Sequence, residues 1–278
     1  MKENTPLPDS IKILDYGHVA LVDMMGSDAS IVRSARVSYQ DGTKTIREDA
    51  ALINYLMKHR HTSPFESVEF VFDMKIPIFV ARHIVRHRTA SLNEVSGRYS
   101  ELPEETYLMP LERMNTQSKD NKQGSTDALM PHAEEYRQII EERAYEAHTL
   151  YKGLLANGMS KELARTVLPV SQYTQWIWKC DLHNLFHFLK LRMDCHTQLE
   201  TRVVAEAMYE LIQPFVPAAC EAFEEHILFA KTFSKEEVMV LESCFQHTLE
   251  TQGTNVEEFL PNSWSKRTKK EFLDKLGL

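Results

Sequence analysis

Residues 68–76 read VEFVFDMKI, with Val68, Phe70, Phe72, Met74 and Ile76 on one side and Glu69, Val71, Asp73 and Lys75 on the other. Strict alternation over this length specifies a strand with one face on a core. Pro77 follows at the place where a helix accepts proline without losing a hydrogen bond, which predicts a helix over 78–88. Upstream, residues 11–25 (IKILDYGHVALVDMM) give a strand, a turn at Tyr16-Gly17 and a second strand. Gly26-Ser27-Asp28 then caps a helix carrying Ile31, Val32, Ala35 and Val37. The helical spacing of Ala50, Ile53, Leu56 and Met57 predicts another helix over 46–58.

Downstream, residues 115–126 (NTQSKDNKQGST) hold no aliphatic or aromatic side chain and predict a surface loop. A long helix is expected over 128–156, stopping at Asn157-Gly158. Ser160 caps a short helix that ends at Pro169, and the aromatic-rich 171–179 (SQYTQWIWK) is strand-like. Asp181 caps a helix whose Leu182, Leu185, Phe186, Leu189 and Met193 form one apolar stripe. That stripe leaves Arg192 to project away from the core. Further helices are expected over 198–213 and from Pro217. The last fifty residues read as a helical appendage, with a capping box at Ser234 and Glu237 and a final helix over 265–276.

The composition narrows the function classes. The chain has 278 residues, 43% hydrophobic and 26% charged, which suits one large domain or two small ones and excludes wholesale disorder. No apolar run approaches the ~20 residues of a membrane-spanning helix. The opening MKENTPLPDS lacks a signal-peptide core and is too acidic for a transit peptide, so a soluble cytoplasmic protein with no membrane partner is expected. A net charge of −8 opposes a general nucleic-acid binder. The four cysteines, Cys180, Cys195, Cys220 and Cys244, show neither a CxxC nor a metal-ligand rhythm and read as idle thiols in apolar, mostly helical stretches.

The densest chemistry lies in 82–98, RHIVRHRTASLNEVSGR. Arg82, Arg86, Arg88 and Arg98, with His83 and His87, face a single acid, Glu94. Helical spacing pairs Arg82 with Arg86 and His83 with His87. Beyond Arg88 the small polar Ser91, Asn93, Ser96 and Gly97 predict a loop. A cationic helix end running into such a loop suits a phosphate: guanidinium groups fork onto its oxygens, and hydroxyls and backbone N–H groups complete the shell.

RHRTASLNEVS, Arg86 to Ser96, resembles the signature of the flavin-dependent thymidylate synthases, in which Arg-His-Arg is followed after seven residues by Ser; the continuation Gly97-Arg98-Tyr99 matches as well. ARVSY (35–39), KHRHTSPFE (58–66), PIFVARH (77–83), LARTVLP (163–169) and LRMDCHTQLE (191–200) resemble further blocks of that family, in order, over about residues 11–230. The resemblance implies an α/β fold of the α+β type, a central antiparallel sheet flanked by helices, with a catalytic domain at 1–230 and a helical extension of unknown role at 231–278. It implies a methyltransferase and flavoprotein: reductive methylation of dUMP to dTMP, with 5,10-methylenetetrahydrofolate as one-carbon donor, FAD as hydride carrier and NADPH as reductant. It also implies a homotetramer with shared active sites.

By the same match, Ser63, Arg86, His87, Arg88, Glu94, Asp181, Leu182, His183 and His187 fall at FAD-binding positions. His83, Ile84, Val85 and Arg86 fall where the family holds dUMP, together with Glu94, Val95, Ser96, Gly97, Arg98 and Arg165. Arg192 occupies the place of the arginine set against the pyrimidine edge, the catalytic position. Some relatives have Gln at 83, Asn at 181, Arg at 183 and Asn at 187. Histidine keeps a donor at 83 and 187, whereas the Asp181 carboxylate cannot donate to flavin, so its contact would come from the backbone; the alternative is a helix cap.

Two rival classes arise from the residues themselves. His83/His87 and His183/His187 have the spacing of a metal-dependent hydrolase's ligand pairs, but the flanking arginines repel a cation and neither pair sits in HExxH, so no metal is expected. Tyr173, Trp176 and Trp178 offer a stacking platform for single-stranded nucleic acid, although aromatic residues in a strand are more often core, and no nucleic-acid partner is expected. Cys195 lies near Arg192, but its context does not call for a thiol nucleophile.

Overall fold

The computed structural model describes residues 8–37, 46–119, 122–252 and 260–276; Ser38 and Tyr39 of the ARVSY block, all of MKENTPL and positions 120–121 lie outside these. The chain divides into two compact units, Met1–Leu228 and Phe229–Leu278. The larger opens with β1 (Ile11–Ile13), β2 (Gly17–Met25), α1 (Asp28–Arg36), α2 (Ile46–Lys58), β3 (Glu69–Pro77), α3 (Ile78–Ile84) and β4 (Ser91–Glu94). It continues with β5 (Asn115–Gln117), β6 (Ser125–Leu129), α4 (Ala133–Ala156), α5 (Lys161–Ala164), β7 (Tyr173–Asp181), α6 (Leu182–Arg192), α7 (Leu199–Ile212) and α8 (Pro217–Phe223). The smaller holds α9 (Lys235–Gln252) and α10 (Lys266–Lys275).

Five strands form one antiparallel sheet in the order β1-β2-β3-β7-β4. This is the α+β architecture that the resemblance implies. The alternation in β3 does what it specifies: Phe70, Phe72, Met74 and Ile76 are fully buried. Across the register Phe72 pairs with Trp178, so Trp176, Trp178 and Cys180 of β7 extend the same apolar face. The opposite face carries ion pairs, Lys75 with Glu105 at 2.7 Å and Lys179 with Glu69 at 2.6 Å. The buried face receives the helices: α6 lays Phe188 on Trp178 with ring centroids 5.6 Å apart, and α7 packs on β2, α3 and α6. Glycine is required at 17, because a Cβ there would stand 2.8 Å from the Lys75 carbonyl oxygen and 2.9 Å from that of Ile13.

Several expectations are corrected. Residues 91–94 are a strand rather than a loop, because the free edge of β7 supplies partners from Lys179 to Trp176. Residues 115–129 include a hairpin, β5 with β6, in which the Thr116 and Thr126 hydroxyls hydrogen-bond across the strands at 2.7 Å. The following helix therefore starts at Ala133, after His132 in the left-handed region, and not at 128. α3 stops at Ile84, short of 88, where the His87 N–H donates to the Ile84 carbonyl at 3.0 Å and turns the chain. Of the cysteines, Cys180 and Cys220 are buried while Cys195 and Cys244 are exposed, and none of these four is in a disulfide.

The caps at Asp181, Ser234 and Ser265 form as specified, whereas Ser160 precedes α5 without a side-chain cap bond. Asp181 accepts the Asn184 N–H at 2.9 Å; in the smaller unit Ser234 and Glu237 make their reciprocal pair, and Ser265 accepts the Thr268 N–H at 3.1 Å. Phe72 sits at the centre of the sheet against Trp178. Phe72→Ala should lower unfolding stability by about 3–5 kcal/mol through lost burial and the cavity left behind. A urea titration showing a midpoint within error of wild type would contradict this placement of the core.

Candidate active site

Arg192 is delivered by a helix fixed at both ends of its register. The Asp181 carboxylate launches α6, one oxygen accepting the Asn184 N–H and the other accepting the Asn184 side-chain amide at 2.7 Å. Both Asp181 oxygens are thus engaged, so the cap is its side-chain role and a flavin contact there would fall to the backbone. Leu182, Leu185, Phe186 and Leu189 are buried and hold the helix on the sheet.

At its end Arg192 stands off the apolar stripe and lies half-buried against the turn after α3. Its Nη1 donates to His83 Nε2 at 2.6 Å and its Nε donates to His87 Nε2 at 3.1 Å. A guanidinium only donates, so both Nε2 atoms present lone pairs and both rings are neutral. The His83 proton is then on Nδ1, which donates to Thr201 Oγ1 at 2.9 Å. Burial first, and Arg192 second, lower the pKa of His83. His87 is pushed down to about 4 by burial, then by Arg192, His187 and His83. Its ring is wedged edge-on against Phe188 at 4.9 Å and His187 at 5.8 Å. The two nitrogens that a metal ion would need at His83 and His87 face a cation instead.

A second group gathers around Glu94. With Val95, Gly97 and Arg165 it lines a cavity of about 170 Å³ floored by Tyr173 and Thr174. The Thr174 hydroxyl donates to Glu94 Oε1 at 2.5 Å, and the Val95 N–H donates to the Gln175 carbonyl at 2.9 Å. Gly97 permits this closeness: a Cβ there would meet Arg165 Cδ at 3.0 Å and Leu102 Cδ1 at 3.2 Å. Ser96 Oγ accepts the Arg98 N–H at 3.3 Å, while the Arg98 guanidinium reaches Glu162 at 3.2 Å. Ile84 is a core residue, so contact from it would come through its backbone, whereas Val85 is exposed.

The third group is His183 and His187, which line a cavity of about 160 Å³ with Arg60, Thr62 and Lys190. Ser63 is exposed at the start of the adjoining turn, and Leu182 is buried in the core. The His87–His187 contact joins this group to the Arg192 group, while the Glu94 pocket is lined by a separate set of residues. Arg86 and Arg88 are exposed, and among the described residues neither has a hydrogen-bond or ion-pair partner. These two guanidiniums flank His87 in the chain, and exposed guanidiniums of this kind suit a phosphate's oxygens.

Thr201, Thr174 and Phe188 support these groups and were not singled out from the sequence. Phe188 lay one position off the apolar stripe, and a single threonine in an amphipathic helix carries no signal of its partner.

The low His87 pKa has a sign that can be checked. The unfolded chain takes up the imidazole proton near 6.5 while the folded chain refuses it until about 4, so stability should fall as pH drops through that window. Urea midpoints at pH 7 and pH 5 should differ more for wild type than for His87→Gln, and equal slopes would contradict the neutral ring.

Against known proteins, the family model described as thymidylate synthase complementing protein matches residues 20–218. The flavin-dependent thymidylate synthase of Thermus thermophilus is 53% identical over 234 residues, spanning 84% of this chain and 85% of its own. That of Treponema denticola is 52% identical over 229 residues, spanning 82% and 86%. Among solved structures, the UMP/dUMP methylase PolB from Streptomyces cacaoi, bound with 5-Br dUMP, superposes with a TM-score of 0.71 at 33% identity, over 80% of this chain and 100% of that one. With half of its residues shared across most of its length, this chain belongs to the flavin-dependent thymidylate synthases.

Proposed function

We propose that the larger unit converts dUMP to dTMP by reductive methylation, with FAD bound, 5,10-methylenetetrahydrofolate as one-carbon donor and NADPH as reductant. Arg192 carries the proposal: it is a half-buried cation held by two neutral imidazoles, and no carboxylate is paired with it among the described residues. Its charge is therefore available to a ligand. FAD, when bound, supplies the hydride chemistry.

The chain supplies positions and charge. Arg86 and Arg88 would take the flavin diphosphate, with Ser63, His87, His183, His187 and the backbone at Asp181-Leu182 around the rest of the cofactor. Glu94 to Arg98, with Arg165, His83 and the backbone at Ile84-Val85, would hold dUMP. As uracil accepts electron density at C6, negative charge grows along its N3–O4 edge; an arginine aimed there stabilises it without giving up a proton. The separate pockets around Glu94 and His183 support sharing of sites between subunits of a homotetramer. Among the described residues no helix is long and apolar enough to cross a membrane, and a cytoplasmic location is part of the proposal.

Protein reconstituted with excess FAD should show a flavin spectrum and form dTMP; failure to bind FAD would overturn the assignment. Arg192→Ala should keep its fold and FAD while losing thymidylate formation by about 10²–10³-fold. Arg192→Lys should not rescue it, because one ammonium cannot reproduce the planar fork. Arg88→Ala should chiefly weaken FAD, and added FAD should restore part of its activity. Near-normal turnover of Arg192→Ala at saturating dUMP would remove Arg192 from the chemistry.

A further inference from the structure

We infer that Thr201 is a positioning residue that aims Arg192 by anchoring the His83 ring at Nδ1, a role that rests on the assignment of Arg192 to the pyrimidine edge. Thr201 lies in the first turn of α7, fully buried, with its hydroxyl 2.9 Å from His83 Nδ1. The opposite nitrogen of the same ring is 2.6 Å from Arg192 Nη1.

Arg192 offers only donors, and the hydrogen-bond partners of its side chain among the described residues are two imidazoles. A neutral imidazole has one lone pair in its plane, and its position depends on which nitrogen keeps the proton. The form protonated at Nε2 would set an N–H against the arginine's N–H. The donor-only arginine thus sets the form protonated at Nδ1, and the Thr201 hydroxyl, able to donate or accept, accepts that proton and holds the ring. His87 is set differently, by the rings of Phe188 and His187 on its flank. Arg192 sets the tautomer, and Thr201 therefore anchors the His83 ring in the orientation that holds the guanidinium, so that α7 reaches the site through it.

Thr201→Val keeps the shape of the side chain and removes the acceptor. Nitrogen-15 NMR of the histidine-labelled protein should show His83 protonated at Nδ1 in wild type, and in Thr201→Val the Nδ1 resonance should move as its hydrogen bond is lost. In the FAD-loaded enzyme, Thr201→Val should lower kcat roughly tenfold while changing KM for dUMP and FAD affinity by less than about twofold. Thr201→Ser should recover most of the loss, since it restores the hydroxyl. In a His83→Ala background, Thr201→Val should cost nothing further, whereas a packing role would persist there. An unchanged His83 spectrum or an unchanged kcat in Thr201→Val overturns the inference. If Thr201→Val does not fold, Thr201→Ala is read by the same spectrum and the same cycle. Turnover retained by Arg192→Ala would instead sink the assignment of Arg192, while the spectrum still decides whether Thr201 sets the ring.

Discussion

Everything at the site depends on holding an arginine still without neutralising it. A carboxylate would fix Arg192 at least as firmly, but it would also cancel the charge that a developing anion needs. Neutral imidazoles offer lone pairs and no net charge, so they orient the guanidinium and leave its field intact. The arrangement works only while both rings stay unprotonated. Burial and the arginine itself enforce that, and burial in turn lowers the pKa of Arg192. The three side chains are thus mutually conditioned: protonating either ring would replace an acceptor with a second cation.

The sheet register brings these side chains together. β3 and β7 pair along their whole lengths, Glu69 opposite Asp181 at one end and Pro77 opposite Tyr173 at the other. α3 leaves from the Pro77 end and α6 from the Asp181 end, each with no intervening loop. Phe188 resting on Trp178 shows α6 running back along its own strand. At ~1.5 Å per residue the two helices together cover ~27 Å, close to the ~30 Å of the strand pair beneath them. Their C-terminal ends therefore meet over the sheet, where His83, His87 and Arg192 lie. Two helix C-termini converging on one place also favour cations there, each contributing about 0.3–1 kcal/mol, which suits a cluster of arginines awaiting an anionic ligand.

Much of this was legible in the sequence because it is local. The alternation of Val68 to Ile76, the proline after it, the Asp181 cap and the stripe behind it all follow from backbone and burial rules acting over a few residues. The cationic run at 82–98 was legible because charge density needs no fold to be seen. What escaped depends on partners distant in sequence. Ser91–Glu94 is fully exposed and has no alternation; it becomes a strand only because β7 ends the sheet with an open edge. The β5–β6 hairpin rests on threonine hydroxyls and not on an apolar face. The apolar stripe of α6 gave the side on which Arg192 stands, but not the turn after α3 that closes over it. Thr201 is a buried hydroxyl on an amphipathic helix, and its meaning lies in a histidine 118 positions away.

The same geometry bears on the competing classes and on the apparent conflict of charge. Trp176 and Trp178 lie in the core and Tyr173 is buried on the other face of β7, so the three form no exposed stacking platform. A net charge of −8 would seem to disfavour an anionic substrate and an anionic cofactor together. At physiological salt, however, exposed charges beyond ~8 Å are largely screened, so a bound phosphate responds to its immediate surroundings. Near the sheet, acids already have partners: Glu69 with Lys179, Glu105 with Lys75, and Glu200 with Arg113. Arg86 and Arg88 have none among the described residues, and Arg192 has only neutral ones. The protein is acidic as a whole and cationic around Arg86, Arg88 and Arg192, and under the proposed assignment that local difference is the one its ligands meet.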